Sequence, residues 1–91
     1  MTTFLLELYV SRTDGAGVER GAEQARLAAE VLSREGTPVR YLRSIFVPED
    51  ETCFYLYEAA SAEIVREAAR RASLRFERVA EALTESKGED R

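Results

Sequence analysis

The chain has no histidine among its 91 residues. That removes the commonest general base and the commonest ligand for transition metals. Any catalytic proton transfer would fall to Glu, Asp, Tyr, Cys or water perturbed by arginine. Cysteine occurs once, at Cys53, so no intramolecular disulfide can form, which fits a reducing cytoplasm. A basic excess is also missing: 13 Lys and Arg stand against 17 Asp and Glu, a net charge of −4. This argues against a module that binds a nucleic-acid backbone and against attraction to an anionic membrane surface. No apolar run approaches the roughly 20 residues that span a bilayer. The opening "MTTFLLELYV" has no basic region and is interrupted by Glu7, so it does not read as a signal peptide.

What remains is one domain, expected over residues 1–83, with a polar tail "TESKGEDR" over 84–91 expected to be disordered. Residues 3–10 read as a strand with Phe4, Leu6, Leu8 and Val10 on a core face and Leu5, Glu7 and Tyr9 on the other. A helix is expected over 18–35. Its apolar stripe is Val18, Ala22, Ala25, Ala29 and Leu32, and Gly36 is its stop. Leu27 and Val31 fall on the opposite side of that helix, as stray surface residues or as a second contact surface. Residues 39–47 and 52–58 read as two strands joined by "PEDE". In the second of these, Phe54 and Leu56 are expected inward and Cys53, Tyr55 and Tyr57 outward. Ser61 is placed to cap a helix over 62–73, with Ile64, Val65, Ala68 and Ala72 inward and a Glu67–Arg71 pair outside. Residues 74–83 offer a fourth strand.

The order β-α-β-β-α-β, with right-handed crossovers, gives an α+β fold of ferredoxin-like architecture. Four antiparallel strands carry both helices on one face. The other face is left open, and in this architecture two such faces commonly close into a dimeric α+β barrel. The open face is expected to gather Leu5, Glu7, Tyr9, Tyr41, Arg43, Ile45, Cys53, Tyr55 and Tyr57. Glu7 and Arg43 cannot be buried there unpaired. Either they pair with each other while the tyrosines pack a dimer seam, or the group forms a pocket for a small polar or aromatic ligand.

Other stretches carry simpler readings. "GAGVERG" holds a G-x-G between strand and helix, but its spacing departs from a dinucleotide loop and Asp14 would repel phosphate. It reads as a turn and cap. Cys53 lacks a histidine to activate it and reads as a structural thiol. "PEDE" lacks the spacing of a calcium loop, and "REAARR" reads as a solvated helix face.

"VRYLRSIFVPEDETCFYLYEA" and "SAEIVREAARRASLRFERVAEA" resemble a small bacterial family of unknown function that includes a nickel-binding, ferredoxin-like dimeric protein. The resemblance covers nearly the whole chain and is strongest over 39–82, in "YLRS", "VPEDE" and "REAARRA". It implies the fold and a homodimer. Where relatives carry a histidine after the second helix, this chain has "RRASL", with Ala72 or Ser73 at that place, so the metal does not carry over. The expectation is therefore a protein without metal or other cofactor. Three functions stay open. One is a homodimer binding a small ligand between facing sheets. Another is a cofactor-independent monooxygenase or isomerase with Glu7 as base and Arg43 or a tyrosine stabilising an enolate or phenolate. The third is a module whose open face serves dimerisation only.

Overall fold

A computed structural model describes residues 1–83; the expected tail over 84–91 lies outside the described residues. Strand β1 is Thr2–Tyr9, helix α1 Gly15–Arg34, strand β2 Val39–Val47, strand β3 Thr52–Ala59, helix α2 Ala62–Arg71 and strand β4 Arg78–Glu81. The sheet order is β2-β3-β1-β4, with every neighbouring pair antiparallel. β1 and β2 are thus parallel and separated by β3, as the crossover rule requires. This is the ferredoxin-like α+β arrangement. Among the described residues, no helix is long and apolar enough to cross a membrane.

Helix α1 starts three residues earlier than its apolar stripe. The Asp14 side chain accepts a hydrogen bond from the Gly17 amide at 3.1 Å and caps the first turn. Gly15 and Gly17 therefore belong to the helix, and the G-x-G is a cap. The end is set by Gly36 at φ +106. The Thr37 amide returns to the Leu32 carbonyl and the Gly36 amide to Ser33, the Schellman pattern. Helix α2 ends in the same pattern with Ser73, not glycine, at φ 60. It stops at Arg71, short of the expected 73. The Ser61 hydroxyl caps its start.

The core lies between the sheet and the two helices. The sheet contributes Phe4, Leu6, Leu8, Cys53, Tyr55, Tyr57 and Ala59; the helices contribute Val18, Ala25, Ala29, Leu32, Val65, Ala68 and Ala69. The division of volume is uneven: mostly alanine on the helices, large side chains on the strands. Small helix residues let α1 sit close over two tyrosines, as close packing requires. At Gly21 the fit is tightest, because a Cβ there would overlap the Tyr55 hydroxyl oxygen.

β4 is only four residues long, against the expected 74–83. Leu74 is used to cap α2, and Phe76 packs against the core from the connection. The "PEDE" hairpin is a 3-10 turn over Pro48–Asp50 with Glu51 left-handed at φ 49. The Glu51 carboxylate accepts a hydrogen bond from the Arg12 amide. Arg66, Arg70 and Arg71 of the basic helix face are each paired with carboxylates of Glu63, Glu67 or Glu35.

Candidate functional site

The strand register decides which side chains share the open face, because residues directly opposite one another point the same way. Two transverse rows cross all four strands there. One runs Ala80, Leu5, Leu56, Arg43; the next runs Arg78, Glu7, Phe54, Ile45. Tyr9, Thr52 and Val47 continue the face at one end; Thr3, Glu58 and Arg40 continue it at the other.

Glu7, Tyr9, Arg43 and Ile45 lie on the open face, as expected. Cys53, Tyr55, Tyr57 and Tyr41 do not: all four point toward the helices. For β3 the alternation was right and its sense was inverted. Phe54 and Leu56 face outward, and Cys53, Tyr55 and Tyr57 are at most 1% exposed. A phenol can go inward when its hydroxyl finds a partner. The Tyr55 hydroxyl donates to the Val18 carbonyl at 2.8 Å. For Tyr41 the reason is a β-bulge. The register slips between Tyr41 and Arg43, Leu42 has no counterpart on β3, and the extra residue puts Tyr41 and Arg43 on opposite faces. Tyr41 meets Tyr55 and Tyr57 edge to face, with centroids 5.8 and 5.7 Å apart.

The helix-side cluster is chemically quiet. Burial pushes the Cys53 thiol and the Tyr41, Tyr55 and Tyr57 phenols above their ordinary ranges. At neutral pH all four are protonated and uncharged, so none is an activated nucleophile or base. The Tyr57 hydroxyl is buried with no hydrogen-bond partner among the described residues.

The open face is different. It is apolar through its middle, at Leu5, Ile45, Phe54 and Leu56, with Ile45 47% exposed. Leu56 stands outside the helix-side core and is shielded by its row neighbours. Glu7 pairs with Arg78, not with Arg43: Arg78 Nε donates to Glu7 Oε1 at 2.7 Å. Sequence reasoning missed Arg78. Its alternation in "RFERVA" was visible, but the β1–β4 register that places it opposite Glu7 was not. Arg43 has no salt bridge among the described residues. At the other end Arg40 pairs with Glu58 across β2 and β3. A second feature the sequence did not announce is Ser33, whose hydroxyl accepts from the Val39 amide and donates to the Val39 carbonyl, pinning the start of β2.

For a metal, the donor set is thin. Histidine is absent from the chain, Cys53 is sealed beneath the helices, and no three Cys, Asp or Glu residues converge among the described residues.

The same fold is found in SCO4226 of Streptomyces coelicolor A3(2). Its crystal structure matches with a TM-score of 0.70 over 92% of this chain and 99% of that one, at 22% identity. No protein of curated function matches the chain. The model of the family described as nickel responsive protein SCO4226-like matches residues 10–82. Spanning both helices and most of the sheet, that match makes the chain a member of the SCO4226-like family.

Proposed function

We propose that the protein works as a homodimer whose open sheet faces pack on one another, a non-enzymatic module without a nickel or zinc site of its own. The observation that carries this reading is the inverted β3. Phe54 and Leu56 point away from the helices, in line with Leu5 and Ile45; Leu56 is buried by its neighbours and Ile45 is exposed, and together they make the face apolar, the kind of surface that marks an interface. A solvent-facing strand would more economically turn its tyrosines outward. The reduced, buried Cys53 is consistent with a cytoplasmic location.

The family name refers to nickel, and a borderline metal prefers imidazole or thiolate donors. With neither accessible in residues 1–83, any response to nickel in this chain would arise elsewhere. The ligand-binding reading loses ground because Tyr41, Cys53, Tyr55 and Tyr57 lie beneath the helices and line no space between sheets. The enzyme reading loses ground because Glu7 Oε1 is already engaged by Arg78.

Sedimentation velocity tests the proposal. A dimer is expected for the wild type. Ile45→Asp, which sets a carboxylate at the most exposed apolar position of the two transverse rows, is expected to yield a monomer with unchanged far-ultraviolet circular dichroism. A monomeric wild type at concentrations well above the micromolar range would sink the proposal. Calorimetric titration with nickel is expected to give no stoichiometric binding; one tightly held ion per chain would overturn the metal-free reading.

A further inference from the structure

Among the described residues, the apolar part of the open face carries an unpaired cation, Arg43, and a half-used anion, Glu7. Arg43 ends the row Ala80, Leu5, Leu56, Arg43 with no carboxylate partner among the described residues. Glu7 gives Oε1 to Arg78, while its Oε2 accepts no hydrogen bond from the described residues. Within one copy the two cannot meet. They stand on β2 and β1 with β3 between them, a lateral distance of roughly 10 Å at ordinary strand spacing, and one row apart. Leu56 and Phe54 fill the space between. The midpoint of the line from Glu7 to Arg43 falls on β3, above those two side chains.

Two-fold symmetry converts this offset into a match. An axis lying in the plane of the seam, crossing that line at right angles above Phe54 and Leu56, exchanges the two positions. Each copy's Glu7 then stands over the other copy's Arg43, and Phe54 and Leu56 of the two copies meet at the axis. An isologous interface makes every such contact twice. Burying Arg43 against leucine and isoleucine without a counter-ion would oppose association, so the seam requires an acceptor for it. Glu7 is the carboxylate on the apolar part of the face with an oxygen to spare.

Resting on the dimer proposed above, we infer that Arg43 of each copy pairs with Glu7 Oε2 of the other, forming two equivalent Arg78–Glu7–Arg43 bridges that fix how the sheets are rotated on one another. Arg43 is thereby the residue that selects one face-to-face arrangement among those the apolar rows alone would permit. Charge complementarity of this kind typically sets register and partner choice.

A double-mutant cycle on the dissociation constant of the dimer tests this, read by sedimentation equilibrium. Arg43→Gln and Glu7→Gln are each expected to weaken the dimer about tenfold or more, since a desolvated charge loses its partner. The double variant is expected to be no weaker than the worse single variant, the signature of coupled residues. Arg40→Gln, at the rim and paired within its own chain, is the control and is expected to change the constant little. Single effects that simply add would overturn the pairing, as would an Arg43→Gln dimer of wild-type strength, while leaving the dimer itself standing. Circular dichroism of each variant at monomeric dilution separates lost association from lost folding. A wild type that never dimerises defeats the underlying reading instead.

Discussion

The two faces of β3 hold opposite chemistry in the unexpected sense. Toward the helices go a thiol and two phenols; toward the uncovered side go phenylalanine and leucine. The inward set is bulky, with the Tyr55 hydroxyl bonded to the Val18 carbonyl and the Tyr57 hydroxyl without a partner among the described residues, and it meets a helix face of small residues. The outward set has no helix over it. In a monomer this distribution is backwards, because hydroxyls would be cheaper outside and Phe54 cheaper inside. It makes sense when both faces are interiors, one within the chain and one between chains.

The sharpest way to break the helix-side half of that contrast is Gly21→Val. The added side chain enters the volume of the Tyr55 hydroxyl, and the expected cost is about 3 kcal/mol or more in urea unfolding. If stability is unchanged, Tyr55 does not occupy that space in solution. The effect on association should be small when both variants are compared as folded protein.

A subtler probe compares two tyrosines on one face. Tyr55→Phe removes the bond to the Val18 carbonyl and is expected to cost about 1 kcal/mol. Tyr57→Phe removes a hydroxyl with no partner among the described residues, so it is expected to be neutral or stabilising. Reversed signs in denaturant melts would show that Tyr57, not Tyr55, holds the buried bond.

The smallest effect near neutrality is the pH response. Burial raises the pKa of the Tyr41, Tyr55 and Tyr57 phenols and the Cys53 thiol. Each raised group favours the folded state fully below its unfolded value, about 8.5 for Cys and about 10 for Tyr. That contribution is lost as pH climbs from there toward the folded value. Melting temperature should therefore be insensitive to these groups from pH 6 to 8 and decline above about pH 9. Tyr57→Phe should make the decline shallower. An equally steep alkaline decline in that variant would mean that the Tyr57 phenol does not titrate with unfolding.

Much of the fold could be read directly. The alanine stripe of α1, the Gly36 stop, the Ser61 cap and the alternation of β1 all follow from local rules that sequence carries in full. The site was less legible. Alternation in "TCFYLY" separates two sets of side chains without saying which is inward. Apolarity pointed the wrong way because the preference of Tyr depends on whether a distant carbonyl waits for its hydroxyl. The bulge at Leu42 carries no glycine or proline to announce it, so simple alternation in "VRYLRS" puts Tyr41 on the same face as Arg43, whereas the structure puts it on the opposite one.

Sequence by itself determined the element order, the Gly36 stop, the Ser61 cap, the lack of imidazole and the amphipathic faces of α1 and β1, because each depends on residues near one another along the chain. Only the tertiary structure decided the sense of β3, the slip of β2 and the choice of Arg78 over Arg43 as partner for Glu7. Those outcomes depend on register between strands separated by tens of residues. There a shift of one position turns every side chain to the other surface, and no local preference is strong enough to fix it.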